Sequence, residues 1–101
     1  MDTKTLPLYF DKIVTQTIEA NWLSEHNLTL DVLRLDLIHP VVSGNKWFKL
    51  QYYLNEANQL EKSTIATFGG AYSNHILATA FACKAYGLQS VGFIPFNIVN
   101  I

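Results

Sequence analysis

The sequence predicts an α/β fold: part of an open parallel sheet built around one strand–helix–strand unit. Three observations predict it. Trp47, Leu50, Leu54 and Ala57 recur at helical spacing, and the period then gives way to a short apolar run, Thr64–Phe68. A glycine turn, Gly69-Gly70, separates that run from a second helical pattern that is apolar nearly all round. Another short apolar run, Ser90–Ile94, follows. The stretch from Thr64 to Ile94 has the length that a right-handed parallel crossover requires.

The elements follow in order. Met1 to Phe10 carries Asp2 and Lys4 and has no signal-peptide apolar run. Lys12 to Glu19 alternates weakly as a strand, and Leu28 to Leu37 reads as a better one, closed by His39-Pro40. From Asn45 an amphipathic helix runs with Tyr53 and Leu60 flanking its apolar face, and Gly44 permits an unusual backbone angle at its entry. Thr64–Phe68 is apolar on both faces, as a buried parallel strand is. Ser73 reads as the N-cap of a helix to about Tyr86, stopped by Gly87; with Lys84 its only charge, it is expected to be buried.

At 101 residues, 50% hydrophobic and 15% charged, the chain is expected to fold rather than stay disordered. A net charge of -1 gives no reason to expect nucleic acid or an anionic membrane as partner. No run approaches the roughly 18 apolar residues of a membrane helix, so the expectation is a cytoplasmic protein. Cys83 is alone, which excludes an internal disulfide and a multi-cysteine zinc site, and His26, His39 and His75 show no metal-ligand spacing. From Gly87 to Ile101 no residue is charged. That uncharged tail is expected to be the start of an element whose partners are missing, by truncation or a change of reading frame.

Two segments offer chemistry. Ser43-Gly-Asn-Lys46 sets a lysine at a helix entry. If desolvated in a cleft, its amine could condense with an aldehyde or act as a base; the alternative is an ordinary surface lysine. Phe68-Gly-Gly-Ala-Tyr-Ser-Asn-His75 puts a glycine turn after a parallel strand and a helix N-terminus after the turn, an arrangement suited to an anion. The alternative there is a tight turn and a plain cap. No P-loop lysine follows, and neither a Rossmann fingerprint nor a serine-hydrolase elbow is present. His39 reads as structural, and Cys83 as an inert small hydrophobe.

Taken together, Leu33-Arg-Leu-Asp-Leu-Ile-His-Pro40, Ser43-Gly-Asn-Lys-Trp-Phe-Lys-Leu50 and Thr67-Phe-Gly-Gly-Ala-Tyr-Ser-Asn-His75 resemble the N-terminal portion of the 1-aminocyclopropane-1-carboxylate deaminase/D-cysteine desulfhydrase family. The order and spacing of the three blocks fit from about Leu33 to Ile94. The resemblance implies a fragment of a fold-type-II pyridoxal-phosphate enzyme, releasing ammonia and a 2-keto acid from a small amino acid. It implies that residues 1–40 belong to a large domain and residues 41–101 to part of a small one. It also implies that Lys46 holds pyridoxal 5'-phosphate covalently and that Asn74 bonds the cofactor's ring oxygen. Ser73 would approach the reacting carbon or the substrate carboxylate, with Ala71, Asn74 and His75 lining the substrate. His75 after Ser-Asn looks more like the desulfhydrase branch.

The intact enzyme would be a homodimer. The family's phosphate-binding glycine loop has no counterpart in these residues, and after Ile94 the family's usual Arg-Gly-Glu is replaced by Pro95-Phe-Asn. The chain alone is therefore expected to be weakly active or inactive. Two readings from other classes stand beside this one. One is a small non-catalytic α/β module binding an anionic metabolite at Gly69 to Asn74. The other is an interaction fragment whose tail, Val91 to Ile101, adds a strand to a partner.

Overall fold

A computed structural model describes residues 6–101; the charged start at Asp2 and Lys4 lies outside them. The architecture is α/β, with two separate sheets. The first is a hairpin of β1 (Thr15–Ile18) and β2 (Leu30–Leu33), antiparallel with Thr15 opposite Leu33 and Ile18 opposite Leu30. Between them lies a short helix, α1 (Asn21–Glu25), which no periodic pattern in the sequence signals; it buries Leu23. Every side chain of β1 and β2 is exposed, so neither strand has a core face to enforce alternation.

The expected strand from Leu28 to Leu37 is shorter in the structure. The Arg34 N–H still bonds Val14 O, but Leu35–Leu37 then coils into a 3-10 turn. Arg34 grips Asp36 with two hydrogen bonds, of 2.9 and 2.8 Å, which favours the turn over further extension.

The second sheet carries the strand–helix–strand unit. Strands β3 (Thr64–Phe68) and β4 (Gln89–Ile94) are parallel, joined through helix α3 (Asn74–Ala85) as expected. The uncharged tail then turns at Pro95-Phe96, with Phe96 at φ 69°, and returns as β5 (Asn97–Asn100) antiparallel to β4. The sheet is therefore mixed, in the order β3-β4-β5, rather than purely parallel. The tail, which one alternative reading assigns to a partner's sheet, pairs with β4 of its own chain. Ser90 secures it, its carbonyl accepting the Ile101 N–H at 3.0 Å and its hydroxyl donating to the Ile101 carbonyl at 2.9 Å.

Helix α2 (Asn45–Gln59) buries Trp47, Leu50, Leu54 and Ala57, the positions its period selects. These meet Ala78, Ala82 and Cys83 of α3, with Ile38, Val42 and Leu88 completing the core. Leu6 joins that same cluster from the N-terminal side.

Three burial expectations are corrected. Tyr53 and Leu60, which flank the apolar face of α2, are exposed rather than drawn into the core, because they border an open groove beside β3. Strand β3 alternates exposed and half-buried positions, because α3 covers one face of the sheet and nothing among the described residues covers the other. Helix α3 is buried on one side only: Ile76, Ala78, Thr79, Ala82 and Cys83 are inside, whereas Leu77 is 57% exposed. A helix apolar all round is fully buried only where both of its sides are covered.

Candidate functional site

Glycine at position 69 is a steric requirement. A Cβ there would lie 2.7 Å from Ile76 Cγ1 and 2.9 Å from Ile76 Cδ1, closer than real Cβ atoms come. The chain passes that tightly because β3 must turn straight into α3. Ser73 caps the helix, its Oγ accepting the His75 N–H at 3.1 Å. The Leu77 N–H is the first to reach back, to Ser73 O at 3.3 Å. The Asn74 and Ile76 N–H groups precede the helical ladder and have no intrahelical acceptor. The Ser73 hydroxyl, having accepted one bond, keeps its own proton to donate. Ala71, Tyr72, Ser73 and Asn74 surround a cleft of about 380 Å³, closed on its far side by Leu77, Ala80 and Ile101. Donors, a positive helix end and an apolar wall meet there, as an anionic ligand requires.

Lys46 lies in the first turn of the other helix. Gly44 enters α2 at φ 61° and ψ -139°, with no side-chain cap, and the Lys46 N–H bonds Ser43 O at 3.2 Å. Its neighbours along the helix differ in setting: Trp47 is buried and Lys49 is exposed. Lys46 does not line the Ser73–Asn74 cleft. The structure thus brings Ala71, Ser73 and Asn74 together and leaves Lys46 apart from them.

His75 shares the helix start but its ring turns elsewhere. Nε2 and Thr67 Oγ1 are joined by a 2.8 Å hydrogen bond, and the ring lines the groove between α2 and β3. Sequence reasoning missed Thr67. A signal was available: alternation along β3 puts Thr67 on the same face as Ile65, the more buried face of the strand.

Two titratable groups are displaced by burial. His39, 4% exposed, accepts both the Val41 and Val42 N–H groups on Nδ1 at 3.0 Å, and its ring meets Phe81 edge-on at 5.1 Å. Desolvation lowers its pKa, which fits a neutral imidazole with Nδ1 unprotonated and a structural role for this residue. Burial pushes the Cys83 thiol up to about 11, so it is an inert packing group. Among the described residues no cluster of acidic, histidine or cysteine side chains could hold a metal, and no helix is long and apolar enough to cross a membrane.

The fold and cleft define a class: an α/β unit with a capped helix N-terminus after a glycine turn, and a second helix that bears a lysine in its first turn. Comparison with known proteins sharpens it. A Thermotoga maritima protein named "Putative 1-aminocyclopropane-1-carboxylate deaminase" is 45% identical over 73 residues, 71% of this chain and 23% of that protein. The Arabidopsis thaliana "Bifunctional D-cysteine desulfhydrase/1-aminocyclopropane-1-carboxylate deaminase, mitochondrial" is 39% identical over 59 residues, 58% of this chain and 15% of that protein. An Oryza sativa protein named "Putative D-cysteine desulfhydrase 2, mitochondrial" is 37% identical over 59 residues, 58% of this chain and 14% of that protein. The chain is a homologue of part of these 1-aminocyclopropane-1-carboxylate deaminase/D-cysteine desulfhydrase proteins, and it spans less than a quarter of the length of each. No family model matches the chain, and no solved structure matches it significantly.

Proposed function

We propose that this chain carries the lysine-bearing part of a pyridoxal-phosphate site of the deaminase/desulfhydrase type, acting on a small amino acid. The observation that carries the reading is the 45% identity over 73 residues to the Thermotoga protein named for that activity. The donor set fits the group: a lysine amine at a helix entry, a capping hydroxyl with its proton free, a side-chain amide at the start of α3 and free helix N–H groups. When bound, the cofactor supplies an electron sink for the carbanion formed at the substrate's α-carbon or ring.

The protein's residues do the rest. Lys46 would hold the cofactor through Nζ, and the same nitrogen would serve to move a proton. Asn74 would donate its side-chain amide N–H to the cofactor's ring oxygen. Ser73 Oγ and the N–H groups at the start of α3 receive the substrate carboxylate. The imidazole of His75, tied to Thr67 on the far side of the helix start, anchors the first turn of α3 to β3. In this reading residues 1–40 belong to a larger domain, residues 41–101 to the lysine domain, and the whole enzyme is a cytoplasmic homodimer. Alone, the 101 residues hold no second glycine loop for a phosphate, so keto-acid release from D-cysteine or 1-aminocyclopropane-1-carboxylate is expected to stay at background.

The test is borohydride trapping of pyridoxal phosphate followed by peptide mapping. Label concentrated on Lys46, rather than shared among Lys4, Lys12, Lys49, Lys62 and Lys84, supports the reading. Even labelling of all six counts against it.

A further inference from the structure

We propose that His39 is a positioning residue for Lys46: seated against α3, it holds the loop that feeds the first turn of α2. The importance of that hold rests on the reading of Lys46 as the cofactor lysine; the hold itself does not.

Helix α2 begins without a side-chain cap, so no side chain at its start fixes the direction of the first turn. The loop before it must do so. Ile38 and Val42 are fully buried in the core, and the Gly44 N–H donates to Leu35 O at 3.1 Å. Between Ile38 and Val42 the chain has no regular structure. Pro40 has no N–H, and the next two, those of Val41 and Val42, both donate to His39 Nδ1 at 3.0 Å. One ring nitrogen thus closes the turn from which the chain runs through Ser43 and Gly44 to Lys46.

The ring's other contact reaches the second helix of the site. Phe81 of α3 meets it edge-on, with centroids 5.1 Å apart. The helix that starts at Asn74 therefore buttresses the imidazole that holds the approach to Lys46. The imidazole is buried, so the two N–H groups have no ready substitute for Nδ1. Packing against Phe81 needs no acceptor; a histidine supplies both the packing and the acceptor. Lys46 is half-buried, between exposed Asn45 and buried Trp47, so a shift of the first turn carries its side chain with it.

The experiment compares His39→Asn with His39→Leu in the 101-residue chain. The asparagine variant keeps an acceptor on the γ-carbon and loses the ring; the leucine variant keeps apolar bulk and loses the acceptor. Amide hydrogen exchange is read at Val41 and Val42, and also at Gly44 and Lys46, whose own acceptors are Leu35 O and Ser43 O. His39→Leu is expected to speed exchange at all of them by at least about tenfold. It is also expected to slow pyridoxal-phosphate trapping at Lys46 at least about threefold, measured against Lys49 and Lys84. His39→Asn is expected to keep both within about twofold of the unchanged chain.

Faster exchange confined to Val41 and Val42, or a leucine variant that retains Lys46 trapping better than the asparagine variant, would show packing alone and overturn the proposal. If trapping shows no preference for Lys46 in the unchanged chain, the cofactor reading fails, and exchange at Gly44 and Lys46 decides the role of His39. Should circular dichroism show that His39→Leu does not fold, His39→Gln, with its acceptor one bond further out, takes its place. Fast exchange at Val41 and Val42 in the unchanged chain overturns the proposal without any variant.

Discussion

Gly44 and Gly69 precede the two helices that carry the candidate site, and they are needed for different reasons. At Gly44 there is ample room: a Cβ would meet nothing within 4 Å, but φ is 61° with strongly negative ψ. At Gly69 the backbone angle is unexceptional, and the constraint is Ile76 pressed against it. Gly70, next in sequence, has neither constraint, with open space around it and no positive φ. A glycine in a turn therefore says little until the dihedral and the neighbouring atoms are known.

The contrast is open to test by substitution. Gly44→Ala meets the dihedral penalty, of order 1–3 kcal/mol, and no second mutation nearby should relieve it. Gly69→Ala is expected to cost roughly 1–3 kcal/mol by overpacking. Here Ile76→Ala in the same chain should recover part of the loss, so a double-mutant cycle by urea unfolding must show coupling at Gly69 and none at Gly44. Ser73→Ala removes the cap of α3 and is expected to cost about 1 kcal/mol. Gly70→Ala should change stability by less than about 0.5 kcal/mol. A large loss there would mean that the turn is tighter than its surroundings indicate.

A pH experiment addresses the core beneath. The unfolded chain takes up a proton on His39 near its ordinary value of 6.5, whereas the folded chain does so only at lower pH. Over that interval the unfolded state binds more protons, so stability falls as pH drops through 6.5 and levels off below the folded value. Urea midpoints at about pH 7.5 and about pH 5.5, with the His39 ring followed by NMR, check the sign. Asp36, held low by its hydrogen bonds to Arg34, acts in a separate window, losing its contribution as pH falls below about 3.8.

Much of the second half of the fold was legible, because its elements have strong periods and clear punctuation. The burial of Trp47, Leu50, Leu54 and Ala57 follows from spacing alone, and the Ser73 cap from the residue type and the helical pattern after it. The hairpin β1–β2 was weakly readable because all its side chains are exposed and no core face imprints an alternation. Strand β5 was missed because Pro95-Phe96 is an unusual turn, with a bulky residue at positive φ where glycine is the usual signal. At the site, Ala71, Ser73 and Asn74 do share one cleft. The Thr67–His75 bond and the orphaned hydroxyl of Thr79 depend on how strand and helix pack across one another, which no local pattern encodes.

The central claim is that Lys46 and Asn74 serve one cofactor, although they start from different helices. The direct measurement is the initial rate of pyridoxal-phosphate trapping at Lys46 in the chain and in its Asn74→Ala variant, with circular dichroism confirming an unchanged fold. The account predicts a several-fold slower reaction at Lys46 in the variant, while Lys49 and Lys84 label as before. An equal rate at Lys46 in both proteins would contradict it, leaving the lysine and the capped helix as two unconnected features.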